Sequence, residues 1–198
     1  TGRAALGGSK MEGVVSIPEL RESEGSYLLK ISTGSQGIGV IAEGYESFAG
    51  GNVEIKSDSP TSKSFTLRKI VSTADQETGI VKGKIIDGDT NNPIKDAIVS
   101  AGGVVTTTGD DGDYILTGVP ISYGDIFVIA EGYNYNAFSF DKLSKGETKT
   151  IMDLKSYKSR TTSTKGTIVG EVTDSEGTPI KDAIVSAGGV ITTTQSDI

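Results

Sequence analysis

The chain contains no cysteine, histidine or tryptophan, has only five prolines, and carries a net charge of −7. Without cysteine it has neither a disulfide framework nor a thiol nucleophile. Without histidine it lacks the commonest general base and the commonest transition-metal ligand, which excludes Ser-His-Asp, Cys-His and His-zinc sites. The basic residues are scattered, so the sequence offers no stripe for nucleic acid. The longest apolar run, Ile126 to Ala130, is far too short for a membrane span. No Asn-x-Ser/Thr acceptor occurs. Thr rather than Met at position 1 leads us to expect a mature or cut product.

What the chain does have is glycine, 27 residues of it, separating short alternating runs that suit many strands joined by turns. It also repeats itself. Pro93 to Val104 (PIKDAIVSAGGV) returns unchanged as Pro179 to Val190, and each copy leads into a run of three threonines, Thr106 to Thr108 and Thr192 to Thr194. Val40 to Tyr45 (VIAEGY) returns as Val128 to Tyr133. The chain is cut out of phase with the repeat. Residues 79–155 hold one complete unit, and residues 70–78 and 156–166 are linkers, the second rich in Ser and Thr. Residues 1–69 contain only the back part of a unit, strands four to seven, and residues 167–198 only the front part, strands one to three. Ahead of Tyr27 the pattern is weak; Val14 to Ile17 could form a short strand, stopped by Pro18.

The complete unit reads Gly79-Ile80-Val81-Lys82-Gly83-Lys84-Ile85-Ile86-Asp87, Pro93, Ala97-Ile98-Val99, Thr106 to Thr108, Asp110 to Tyr114 and Gly132-Tyr133. In this order it resembles the carboxypeptidase regulatory-like domain, a transthyretin-like β-sandwich. The resemblance implies an all-β fold of tandem seven-stranded Greek-key β-sandwich units. It also implies an accessory, adhesive or surface-structural role, extracellular or on a prokaryotic cell surface, rather than an enzyme. Similar collagen-adhesin repeats carry a Lys-Asn crosslink. Here Lys149 to Leu154 lacks Asn, and Ser64 to Lys69 lacks both Asn and Asp, so the crosslink is not expected.

A fragment of two or three strands is not expected to be stable alone. Unpaired, residues 167–198 would expose Ile168, Val169, Val172, Ile184, Val185, Val190 and Ile191 along open edges. Their natural complements are Leu28, Ile31, Val40 and Ile41 in 1–69. The two fragments could meet within one chain or between chains. An odd number of strands puts a sandwich's ends at opposite poles, and a linker of about ten residues reaches at most roughly 33–36 Å. Folding back therefore looks strained, and completion by neighbouring subunits is expected. That contact joins 167–198 of one copy to 1–69 of the next, head to tail, and yields an open homopolymer. The alternative is a spacer or glycan-binding module belonging to a longer tandem-repeat protein.

Three local features bear on ligands. Asp87, Asp89 and Asn91 place oxygens at alternate positions, as calcium loops do, but lack a downstream bidentate Glu; Asp174-Ser175-Glu176 is the weaker counterpart. Asp110, Asp111 and Asp113 form a second acidic turn, and Asp, Asn and Gly also make plain turns. Tyr133, Asn134, Tyr135 and Asn136 could form a platform for surface glycans, although aromatic bodies more often serve as packing. The Ser/Thr run 159–164 suits either O-linked sugar or a plain linker.

Overall fold

The computed structural model describes residues 24–71 and 75–195. The strand read at Val14 to Ile17 and the last three residues, 196–198, lie outside the described residues. Among the described residues there are sixteen strands and no helix. The first five are β1 (Ser26–Ser32), β2 (Gly34–Ile41), β3 (Phe48–Ile55), β4 (Thr61–Ser62) and β5 (Phe65–Leu67). The complete unit supplies β6 (Thr78–Asp87), β7 (Ile98–Ala101), β8 (Val104–Thr107), β9 (Asp113–Pro120), β10 (Asp125–Ile129), β11 (Asn136–Ser139), β12 (Thr148–Thr150) and β13 (Leu154–Ser156). The last three are β14 (Lys165–Asp174), β15 (Ile184–Ala187) and β16 (Val190–Thr193).

These strands form four sheets and two separate cores. In the middle unit one sheet runs β12-β6-β13 with β9 also on β6, and the other runs β11-β10-β7-β8. Between them lie Val81, Ile85, Val99, Leu116, Ile126 and Val128, all buried. The second pair of sheets mixes the two ends of the chain. One runs β1-β14-β4 with β5 also on β14, and the other runs β16-β15-β2-β3. Alternation sorts the residues as a half-buried strand requires: Tyr27, Leu29 and Ile31 point into this second core, while Leu28 and Lys30 point out.

The chain thus folds back on itself, although the sequence made that look strained. The poles are indeed opposite, because β12 and β13 run parallel to β6, and β4 and β5 parallel to β14. The linkers are nonetheless short because the two sandwiches lie antiparallel, so each one's exit faces the other's entrance. Ile70, leaving the split sandwich, donates its amide to Gly44, which in turn donates to Gly103 of the middle one. Ser159, leaving the middle sandwich, donates to Gly132, which in turn donates to Gly189 of the split one. Two further boundaries differ from the sequence reading. Gly34 to Gly37, read as a turn, forms the start of β2 opposite β3, and the polar stretch 57–63 contains β4.

Candidate assembly interface

The seam of the split sandwich is built around β14. On one side β1 pairs with it antiparallel, from Ser26 opposite Glu171 to Ser32 opposite Lys165. On the other side β4 and β5 pair with it in parallel, with Ile168 opposite Thr61 and Val172 opposite Phe65. In the second sheet, Ile184 to Ala187 lie antiparallel to Ile41 to Ile38. The glycines of the strand-one motif explain the close fit. A Cβ on Gly79 would stand 2.7 Å from the Glu147 carbonyl oxygen, and one on Gly83 would stand 2.8 Å from that of Ile151. Gly166 and Gly170 leave the same room for the carbonyls of Lys56 and Lys63. Only a strand without side chains at these positions lets these neighbouring carbonyls lie against it.

Of the residues expected at the seam, Ile168, Val172, Val185, Ile31 and Val40 are fully buried in its core. Burying each is worth roughly 1.5–3 kcal/mol. Val190 is half-buried against that core; Val169, Ile184 and Ile191 are also half-buried. Leu28, opposite Val169, is 40% exposed on the outer face. Ile41 is buried but belongs to neither core.

The two chain segments also meet at one pole. The Gly25 amide donates to the Gln195 carbonyl at 3.0 Å, and the Gln195 amide to the Ser26 carbonyl at 2.9 Å. At the corresponding place in the middle sandwich, the Gly109 amide donates to the Asp113 carbonyl at 3.0 Å within a continuous turn. Beside each junction a buried threonine ties the strands together. Thr194 Oγ1 accepts from the Ala183 amide at 2.9 Å and donates to the Ile180 carbonyl at 2.6 Å. Thr108 does the same with Ala97 and Ile94, at 2.9 and 2.7 Å.

Between the sandwiches the outer face of β2 meets Ile129 of β10 and Tyr135, and Ser47 meets Ser100 of β7. Ile129, like Ile41, is buried outside both cores, and its Cδ1 would lie 3.4 Å from a Cβ on Gly39. The contacts are reciprocal, as a two-fold interface requires: Gly44 to Gly103 at 2.9 Å and Gly132 to Gly189 at 2.7 Å join equivalent positions. At the two ends of the face the side chains differ. At one end Ser47 donates to Ser100 at 3.1 Å, and Tyr123 donates to Glu46 at 3.2 Å. Glu46, Ser47, Gly102, Tyr123, Asp125 and Phe127 line a cleft of about 240 Å³ there. At the other end Tyr135, the counterpart of Ser47, lies on Gly37 and Gly39. The Ser186 hydroxyl, counterpart of Ser100, is buried there without a hydrogen-bond partner.

Asp87 serves its own turn. Its Oδ1 accepts the amides of Asp89 and Thr90, both at 2.9 Å, and its Oδ2 accepts the Tyr133 hydroxyl at 2.8 Å. The Lys158 ammonium lies 3.8 Å from Oδ2. The Thr90 amide, and next the Tyr133 hydroxyl, pull the carboxyl down to about 2. Burial, and next the bond to Asp87, pushes the Tyr133 phenol up to about 12. Asp89 and Asn91 are exposed, and the Asn91 amide closes the turn onto the Asp87 carbonyl. Among the described residues no three His, Cys, Asp or Glu are placed to hold a metal. Asp174 Oδ1 likewise takes the amides of Glu176 and Thr178. In the second acidic turn Asp110 and Asp113 pair with Lys95 and Lys84. The residues of the possible Tyr-Asn platform are dispersed, and packing is what two of them do: Tyr133 is on Asp87, Tyr135 is inside the interface, and Asn136 bonds Ser156.

The sequence reading missed the inter-sandwich face, although it left a trace. Ile126 to Ala130 is apolar at every position, which fits a strand covered on both sides. Gly37 and Gly39 in a strand signal close approach by something else.

No family model matches the chain. No curated protein matches it either. Among solved structures, the crystal structure of the group B streptococcus pilus 2b backbone protein is similar at 14% identity with a TM-score of 0.29, covering 69% of this chain and 87% of that one. At that score the description of the fold rests on the chain's own strand pairing.

Proposed function

We propose that this chain is a structural, non-catalytic module of an extracellular or cell-surface assembly, and that copies join head to tail by exchanging the segment 165–195. The observation that carries this reading is the seam: one sandwich is built from segments that a whole second sandwich separates in sequence. The same hydrogen bonds and the same burial are available whether β14 to β16 come from the same chain or from the next. Concentration and the linker 157–164 then decide between closure and exchange. Exchange is head-to-tail, and where its rotation does not close into a ring it propagates as a filament. The surface location is what the resemblance of the middle unit implies.

Removing residues 160–163 tests the exchange. Four residues of reach, about 13 Å, disappear, and folding back becomes impossible without breaking the contact of Ser159 with Gly132 or that of Thr164 with Thr33, which flank the deletion. Light scattering and negative-stain microscopy are expected to show open-ended oligomers for this variant, and none for a chain ending at Gly166. A shortened chain that remains monomeric with 165–195 unprotected would sink the exchange.

A second reading is favoured by the completeness of the seam within one chain: a self-closed spacer in a longer tandem-repeat protein. It expects the unaltered chain to stay monomeric at every concentration.

A further inference from the structure

We infer that Tyr135 is the key that makes docking between sandwiches heterotypic: the middle sandwich accepts a split sandwich, from its own chain or another copy, and rejects a second middle sandwich. The argument comes from the repeat. Gly37, Gly39 and Ser47 of the split sandwich correspond to Asp125, Phe127 and Tyr135 of the middle one, each 88 residues later. In the observed pair, Ser47 shares its end of the interface with Asp125 and Phe127, and Tyr135 lies on the two glycines. A Cβ on Gly37 would come 2.6 Å from Tyr135 Cε1, and one on Gly39 3.0 Å from Tyr135 Cβ.

Two middle sandwiches docked in the same way would drive Tyr135 onto Phe127 and Asp125 at both ends. Two split sandwiches would set Ser47 over Gly37 and Gly39 at both ends and leave two holes. Only the mixed pair is filled at one end and free of collision at the other. Specificity here comes from a clash built against the wrong partner as well as from fit to the right one. The unpartnered Ser186 hydroxyl fits this account, because the tyrosine that fills the end stands where a serine would have reached it. The key acts whether the seam is closed within a chain or exchanged, so it does not depend on the filament reading.

The test uses the full chain. Gly39→Phe gives the split face the residue of the middle face, so the chain must form the rejected pair within itself. A phenylalanine in a strand is otherwise favourable by propensity, so a free face would gain stability. The expected result is a melting midpoint lower by several degrees, with loss of exchange protection at the Gly44 and Gly132 amides while the amides of both cores stay protected. Adding Tyr135→Ser, which recreates the Ser47 surroundings, is expected to restore both. If Gly39→Phe prevents folding, Gly37→Ala with and without Tyr135→Ser is the milder pair, with the same pattern expected. Tolerance of Gly39→Phe beside an intact Tyr135 would overturn the assignment, and so would failure of Tyr135→Ser to rescue.

Discussion

Gly25 and Gln195 are hydrogen-bonded neighbours at 3.0 Å, although 170 positions separate them in the chain. They occupy the place that a continuous turn, Gly109 to Asp113, fills in the middle sandwich. A circular permutant follows directly. Joining Gln195 to Gly25 through a short Asp/Gly turn, with new ends opened in the linker 72–74, turns the split sandwich into a continuous one. It is expected to fold as a monomer with a midpoint at or above the parent's, since a tethered junction costs less closure entropy. Calorimetry and size-exclusion chromatography check this. A permutant that does not fold would mean that the pole geometry is wrong.

Ile168 has no exposed surface and sits in the split core, whereas Leu28 on the neighbouring strand is 40% exposed. Ile168→Ala is expected to cost about 2–5 kcal/mol, as large-to-small core changes do. Leu28→Ala, away from that core, is expected to stay within about 0.5 kcal/mol. Denaturant titration measures both. Equal effects would show that β14 is not held as described.

Thr194 is a second test of the seam, independent of apolar burial. Thr194→Val keeps the shape but strands the Ala183 amide and the Ile180 carbonyl in a buried site. A cost of about 1–3 kcal/mol is expected. Thr108→Val makes the same change in the middle sandwich. The two should unfold different sandwiches first, which exchange mass spectrometry resolves.

Asp87 predicts an acid limb. Its folded carboxyl lies near 2, below the ordinary 3.8, so its contribution is fully present above about pH 4 and fades as pH falls toward 2. The midpoint difference between the parent and Asp87→Asn is therefore expected to shrink across that window. Asp110 and Glu147 shift in the same direction, and the comparison holds them constant. Both Asp87 oxygens are already engaged, so millimolar calcium is expected to leave the midpoint unchanged. A calcium-dependent rise that Asp87→Asn abolishes would return the loop to a metal.

The repeat made much of this architecture legible. The identical stretches at 93–104 and 179–190 and the twin VIAEGY strands told which halves complement each other, and the buried positions Ile31, Val40, Ile168, Val172 and Val185 follow from alternation. Ile41 shows where alternation stops helping. It reads as one more apolar residue of the seam, but it points to the face that Ile129 and Tyr135 cover, and a period of two does not say what lies beyond a sheet's outer side. Closure within one chain was hidden for a similar reason. Strand number gives the poles of one sandwich but not the mutual direction of two, and that direction is set by contacts such as Gly132 with Gly189. Asp87 has the look of a metal ligand because a turn-capping carboxylate and a calcium ligand use the same residue types at the same spacing.

The seam also sets a clock. Strands β1 to β5 leave the ribosome before their partner β14 exists, and 107 residues (68–174) must still be made. At about 5–20 residues per second the half-built sandwich waits on the order of 5–20 s with its edge open. The middle sandwich, continuous in sequence, can fold during that wait and draw the linker ends together before β14 emerges. Where neighbouring nascent chains are crowded, those same seconds are the interval in which another copy's segment can arrive first.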